Sequence, residues 1–181
     1  MIRALMTGET VHVTCPDEER LRAAQVRLKA EGIPFGNDTP VRLHVMATDD
    51  EWIRDYGALF VRNEQGNRIA TDWQFNAWGG KYDRTEQNNR IPVAMAAMHA
   101  VDRVAFDIVL EGGSVEMNGE GLCLTTESCL LNPNRNPDLS RADVEAYLRD
   151  GLGVTHTIWL GDGIAGDDTD GHIDDMTRFV G

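Results

Sequence analysis

Apolar and polar residues alternate in short runs that read as strands and helices in turn. Thr10 to Thr14 (TVHVT) is β-branched and alternates, which predicts a half-buried strand. The residues before it read as the tail of a helix closed by Gly8. Asp17 can cap a helix to about Ala30, with Leu21, Ala24, Val26 and Leu28 on its apolar side and Gly32 at its end. Val41 to Met46 is a second strand, and Ala58 to Arg62 with Arg68 to Trp73 a hairpin. Asn88 to Val101 reads as a helix with Pro92 in its first turn and Val93, Ala96, Ala97 and Ala100 inward. Val104 to Leu110 is a nearly continuous apolar strand that delivers Glu111-Gly112-Gly113. A second hairpin, Val115 to Met117 and Leu122 to Thr125, flanks Asn118-Gly119. Ser140 and Asp143 resemble a capping box for a helix to about Asp150. Thr155 to Leu160 is a strand, and Ile173 to Val180 is expected to be another.

The rhythm is strand pairs alternating with single helices, which predicts an α/β or α+β fold without choosing between them. No linker or close internal repeat interrupts it, and 181 residues suit one domain with a sizeable core. Hydrophobic residues at 41% and charged residues at 26% give a globular profile. The net charge of −13 repels nucleic acid and anionic membranes and suits a basic small ligand. Three cysteines, Cys15, Cys123 and Cys129, make neither a disulfide framework nor a zinc spacing and read as reduced, structural thiols. With no signal peptide and no apolar run of membrane-spanning length, a cytoplasmic protein is expected.

Candidate chemistry concentrates in Gly166 to Asp175, where five aspartates surround His172. In an extended backbone Asp168, Asp170, His172 and Asp174 point to one side, with Gly171 bending the run. A solvated acidic loop has the same composition. Asp55, before Gly57, and Glu111, before Gly112-Gly113, also sit in glycine turns beside strands, where carboxylates can converge on a cleft or simply cap a turn. Asp55 follows Arg54 in a polar turn whose Trp52 looks buried. An EF-hand register fails, because Gly166 and Thr177 occupy the first and twelfth positions. A zinc site lacks a second imidazole or thiolate at local spacing. No metal or other cofactor is expected. No nucleophile elbow or phosphate loop is present, so the residues alone reach only a cation-binding acidic cleft with one proton-transfer histidine.

Taken in order, several stretches resemble the agmatine deiminase family of the guanidino-group-modifying (pentein) superfamily. They are Glu51 to Gly57 (EWIRDYG), Phe75 to Tyr82 (FNAWGGKY), Leu110 to Ser114 (LEGGS), Leu124 to Pro137 (LTTESCLLNPNRNP) and Gly166 to Asp174 (GDDTDGHID). The resemblance implies a five-bladed α/β propeller, of which this chain holds roughly the middle half as one incomplete domain over 1–181. It implies hydrolysis of agmatine to N-carbamoylputrescine and ammonia through an amidino-cysteine intermediate. Asp55 and Asp174 would grip the guanidinium, His172 would protonate the departing ammonia and then activate water, and Glu111 would assist proton transfer. Trp52 would line the substrate site, and Asp168, where the family usually has Glu, would face the far amine. The family's nucleophile lies in a C-terminal Gly-Asn-Ile-His-Cys-type stretch without a counterpart here, and its upstream start is also missing. The chain therefore reads as a truncated piece that carries the guanidinium-binding and acid–base residues. Alternatives are a peptidylarginine or arginine deiminase sibling, and a non-catalytic guanidinium- or polyamine-binding module. Open strand edges on an incomplete propeller invite homo-oligomer formation.

Overall fold

The computed structural model describes residues 1–180, which divide into two compact units, Met1–Thr48 and a larger one from Asp49 onward. In the first unit, helix α1 (Ile2–Leu5) precedes strand β1 (Val11–Cys15), helix α2 (Glu18–Ala30) and strand β2 (Val41–Val45). The two strands pair in parallel, Val11 opposite Val41. Asp17 caps α2 by accepting a hydrogen bond from the Arg20 amide at 2.7 Å, and Gly32 leaves the helix at φ +64°. Leu28, Ile33 and Val41 are buried beneath Val11, Val13 and Leu43. Val26, expected inward, is 70% exposed. It lies well off the line of Leu21, Ala24 and Leu28 once the helical repeat of about 3.6 residues is applied.

The second unit repeats one motif, a hairpin followed by a helix and a parallel strand. Its first copy contains α3 (Ile53–Tyr56), β3 (Leu59–Arg62), β4 (Arg68–Gln74), the one-turn α4 (Ala77–Gly80), α5 (Ile91–His99) and β5 (Asp102–Val109). β4 lies central, antiparallel to β3 and parallel to β5. The second copy contains β6 (Glu116–Met117), β7 (Leu122–Thr126), α6 (Glu127–Leu130), α7 (Arg141–Leu152) and β8 (His156–Leu160). β7 is again central, antiparallel to β6 and parallel to β8. The architecture is mixed α/β, one of the two classes that the strand–helix rhythm left open.

Trp73, Ile108, Leu110, Val115, Leu130, Val144 and Leu148 form one buried core shared by both copies. The Trp73 ring stacks on Phe106 with centroids 4.3 Å apart. α7 begins with the expected capping box of Ser140 and Asp143.

Two further expectations are corrected, at α5 and at Ile173 to Val180, while β5 is the strand expected. In α5 the buried residues are Ile91, Pro92 and Ala96, while Val93, Ala97 and Ala100 are exposed. A helix with apolar residues all round does not reveal its inner face by pattern. β5 is apolar in sequence but mostly exposed along its first half, because it is the edge of its sheet. Ile173 to Val180 is not a strand: a 3-10 turn at Ile173–Asp175 buries Ile173 as an anchor, and no regular structure follows among the described residues.

Gly151, inside α7, sits where an added Cβ would meet the Trp73 ring and lie 2.9 Å from Phe106. Alanine normally strengthens a helix by about 1 kcal/mol over glycine. Here overpacking by about 1–3 kcal/mol outweighs that gain. Gly151→Ala is expected to lower the melting temperature, which thermal denaturation followed by circular dichroism measures.

Candidate active site

Four short segments converge on one cleft of about 770 Å³ in the larger unit. α3 supplies Asp55, α4 supplies Trp78 and the loop before Ile173 supplies His172 to its lining, and the 3-10 turn at Gly112–Ser114 holds Asp55 through the Gly113 amide.

Asp55 is buried and held from two sides. The Trp78 indole donates to its Oδ2 at 3.0 Å and the Gly113 amide to its Oδ1 at 3.1 Å. Trp78 reaches it from a left-handed backbone, φ 54°, fixed by the Asn76 side chain, which accepts from the Gly79 amide. Such a conformation costs of order 1–3 kcal/mol and persists only where surrounding bonds enforce it. Burial raises the Asp55 pKa to about 7, more than its two hydrogen bonds lower it, with Glu111 and Asp174 adding to the rise.

His172 lies between carboxylates. Its Nδ1 is 3.6 Å from Asp55 Oδ1 and 3.9 Å from Asp174 Oδ1. Burial, helped by the Arg135 charge, lowers its pKa to about 4, so the imidazole is neutral at physiological pH. Its Nε2 is buried with no hydrogen-bond partner. Asp174, part-exposed, also faces Arg54 at 3.9 Å, and burial raises its pKa, with Asp175 adding to the effect.

The loop carrying His172 is built on Asp167, whose carboxylate accepts from the amides of Thr169, Gly171 and His172 and from the Thr169 hydroxyl. Burial alone would raise the Asp167 pKa, but these bonds bring it below its ordinary value. The loop is therefore a folded turn, with φ +65° at Asp170 and +104° at Gly171, and not the extended run that would point four alternate residues one way. Asp168, His172 and Asp174 line the cleft, whereas Asp170 turns aside to Lys81 at 2.8 Å and Arg135 at 2.7 Å. Desolvation pushes the Asp170 pKa up, but bonds from Lys81, Asn134 and Arg135 hold it at about 2. Asp168 accepts a 2.8 Å hydrogen bond from the Tyr82 hydroxyl.

Glu111 lies behind the cleft, fully enclosed, bonded at 2.7 Å to Arg135 Nε. Burial raises its pKa, and the Arg135 guanidinium opposes that rise. Trp52 is not buried as its sequence context implied: it is 57% exposed and lines the cleft mouth. Its turn carries Tyr56 inward instead, the Tyr56 hydroxyl donating to Asp50 O at 2.7 Å. The expected residues Trp52, Asp55, Asp168, His172 and Asp174 thus share one cleft, with Glu111 beneath it.

The sequence reading gave no role to Arg135, Asp167, Trp78 or Tyr82. A single arginine in a turn rich in Asn and Pro, following an apolar run in a chain of net charge −13, was the available signal for a buried countercharge. Glu111, Cys129 and His172 place ligating atoms within 4.8 Å of one another. Arg135 already holds Glu111, however, and burial raises the Cys129 thiol well above its usual range, with Glu111 adding to it; both oppose a cation there.

A buried carboxylate, a neutral imidazole and a second carboxylate around one cleft present acceptors of the kind that bond a planar cation's N–H groups. Residues 1–181 match the sequence profile of the Porphyromonas-type peptidyl-arginine deiminase family over their whole length. The chain belongs to that family. Agmatine deiminase of Stutzerimonas stutzeri is 40% identical over 183 aligned residues, covering 98% of this chain and 47% of that protein. Among solved structures, Enterococcus faecalis agmatine deiminase, described as catalyzing its reaction, superposes with a TM-score of 0.87 at 34% identity, covering 98% of this chain and 47% of that one. C. jejuni agmatine deiminase with substrate bound, a cysteine-to-serine variant, gives 0.84 at 32%, covering 99% and 50%. The chain spans about half the length of these relatives.

Gly113 tests how tightly the site is built. A Cβ there would strike His172 Nδ1 and lie 2.6 Å from Asp55 Oδ1. Gly113→Ala is expected to displace both side chains, cost about 1–3 kcal/mol of stability and remove ligand binding in the cleft. Denaturant unfolding and calorimetry report the two effects separately.

Proposed function

We propose that residues 1–181 are part of one larger domain, a five-bladed α/β propeller, that hydrolyses agmatine to N-carbamoylputrescine and ammonia. The observation that carries this reading is the gathering of Asp55 and Asp174 at 3.6 and 3.9 Å from His172 Nδ1 at one cleft. The repeated hairpin–helix–strand units supply the blades. Asp55 and Asp174 accept paired N–H bonds from the guanidinium, Asp168 faces the far amine, and Trp52 covers the aliphatic chain at the mouth. A cysteine thiolate adds to the guanidinium carbon. Neutral His172 takes the thiol proton and delivers it to the departing nitrogen, so that ammonia leaves and an amidino-thioether remains. His172 then removes a proton from water, which attacks the same carbon and releases the thiolate with the urea product. Glu111, behind the imidazole, assists proton transfer.

Among the described residues no cysteine lines the cleft: Cys15, Cys123 and Cys129 are all buried. We place the nucleophile outside residues 1–181, in line with relatives about twice as long. Peptidyl-arginine, which the family description names, and free arginine are the alternative substrates, and both differ from agmatine by groups at the α-carbon. Side-by-side binding of the three separates these readings.

The 181-residue chain is expected to bind agmatine and release no ammonia. Ammonia release that survives every single Cys→Ala substitution would overturn the mechanism, and absence of binding by the folded chain would overturn the reading. Affinity carries a pH signature. Asp55 accepts guanidinium N–H bonds on both oxygens only when ionised, and its pKa is about 7. Agmatine affinity is therefore expected to be highest above pH 7 and to fall towards acid by up to about tenfold per pH unit. Calorimetry between pH 5 and 8, roughly the range either side of that value, measures it; a flat profile removes Asp55 from the binding site.

A further inference from the structure

Among the described residues Arg135 is the only buried arginine or lysine, and the chemistry proposed above does not use it. Its guanidinium spends its donors in three directions. Nε donates to Glu111 Oε1 at 2.7 Å. Nη1 donates to Asp170 Oδ2 at 2.7 Å and to Asn134 Oδ1 at 2.8 Å, and Nη2 to the Thr169 carbonyl at 2.9 Å. Glu111 opens the turn whose Gly113 amide holds Asp55. Thr169 and Asp170 belong to the loop that ends in His172. One side chain therefore joins the two segments that together aim the imidazole and the carboxylate.

We propose that Arg135 is a positioning residue for the deimination reaction, clamping Glu111 to the 167–172 loop so that His172 is held between Asp55 and Asp174. The inference rests on the guanidino-binding reading of the same cleft. Lysine cannot replace this function, because a point charge on a flexible stem lacks the rigid planar set of donors that meets Glu111, Asp170 and Thr169 at once. The approach is also close on the other side: a Cβ on Gly79 would lie 2.7 Å from Arg135 Nη1.

The clamp has an electrostatic consequence. The groups around His172 are Asp55, Asp174 and Glu111, whose carboxyls burial pushes up, Asp167 and Asp170, whose carboxylates are held low, and the cations Arg54 and Arg135. Without Arg135 one repelling cation is gone while Asp167 and Asp170 stay ionised, and His172 gains a proton more readily. With lysine the charge balance is kept and only the geometry is lost.

Nuclear magnetic resonance on the 181-residue chain tests this, with His172→Gln used to assign the His172 signals. In Arg135→Met the His172 imidazole is expected to titrate about one pH unit or more higher than in the unsubstituted chain. In Arg135→Lys it is expected to titrate as before, while the Gly171 and His172 amides exchange with solvent about tenfold faster and agmatine binds about tenfold more weakly. Unchanged titration in a folded Arg135→Met variant overturns the proposal. If that variant does not fold, Arg135→Lys decides: unsubstituted-like amide exchange overturns the clamp, and faster exchange supports it. Failure of the unsubstituted chain to bind agmatine counts against the deimination reading alone, since titration and exchange are read without ligand.

Discussion

A guanidinium sealed from solvent against a sealed carboxylate is the constraint on which the rest of the site depends. Both side chains of the Arg135–Glu111 pair have no exposed surface. Desolvating two such ions costs several kcal/mol each, and their attraction repays this only when every donor and acceptor is met. Arg135 meets that condition by using the remaining donors on Asp170, Asn134 and Thr169. The pair cannot exist unless the Asn132–Pro137 turn, the Glu111 turn and the 167–172 loop are all in place, so local order in each is tied to order in the others. Breaking such a pair by removing one partner costs about 3–5 kcal/mol, far more than a surface ion pair contributes.

The same burial that makes this pair necessary leaves the cleft electrostatically tense. Asp55 is shifted up to about 7 and His172 down to about 4, both chiefly by desolvation. Unliganded, the cleft disfavours charge on both groups. The sign for stability follows directly: Asp55, with a folded pKa above its unfolded one, favours the folded chain less as pH rises from the ordinary carboxylate range to about 7. In the proposed reading, a planar cation entering between Asp55 and Asp174 supplies the charge that the fold withholds, and selectivity comes from a site that is unfavourable when empty and neutralised when filled.

Much of this was legible in the sequence because local rules decide it. The caps at Asp17 and Ser140, the hairpin at Asn118-Gly119 and the carboxylates beside glycine turns depend on residues within a few positions of one another. What the sequence withheld depends on distant partners. Whether Trp52 or Tyr56 turns inward is set by the Asp50 carbonyl and the packing of Phe75 on Tyr56, not by hydrophobicity. Strand β5 is legible as a strand, but its place at the edge of its sheet is not. Arg135 looks like an ordinary loop arginine until Glu111, 24 positions away, is brought to it. Alternation suggested one acidic face at Asp168–Asp174, but left-handed turns at Asp170 and Gly171 separate the residue that braces the loop from those that face the cleft.

The glycines explain how three segments approach closely enough for this to work. Gly112 passes against the Arg54 carbonyl, Gly113 against His172 and Asp55, and Gly163 against the backbone of Gly171. At each point a methyl group would occupy space already filled by backbone or by a site side chain. The carboxylates and imidazole are aimed by turns rather than by long elements, so their precision has to come from close backbone approach and from saturated hydrogen bonding. Asp167, with four donors on one carboxylate, and Arg135, with four acceptors on one guanidinium, are the two ends of that arrangement. Asp167 shapes the loop from within and Arg135 ties it to Glu111. The orientation of His172 follows from both, which is why neither residue needs to touch a ligand to determine how the cleft receives one.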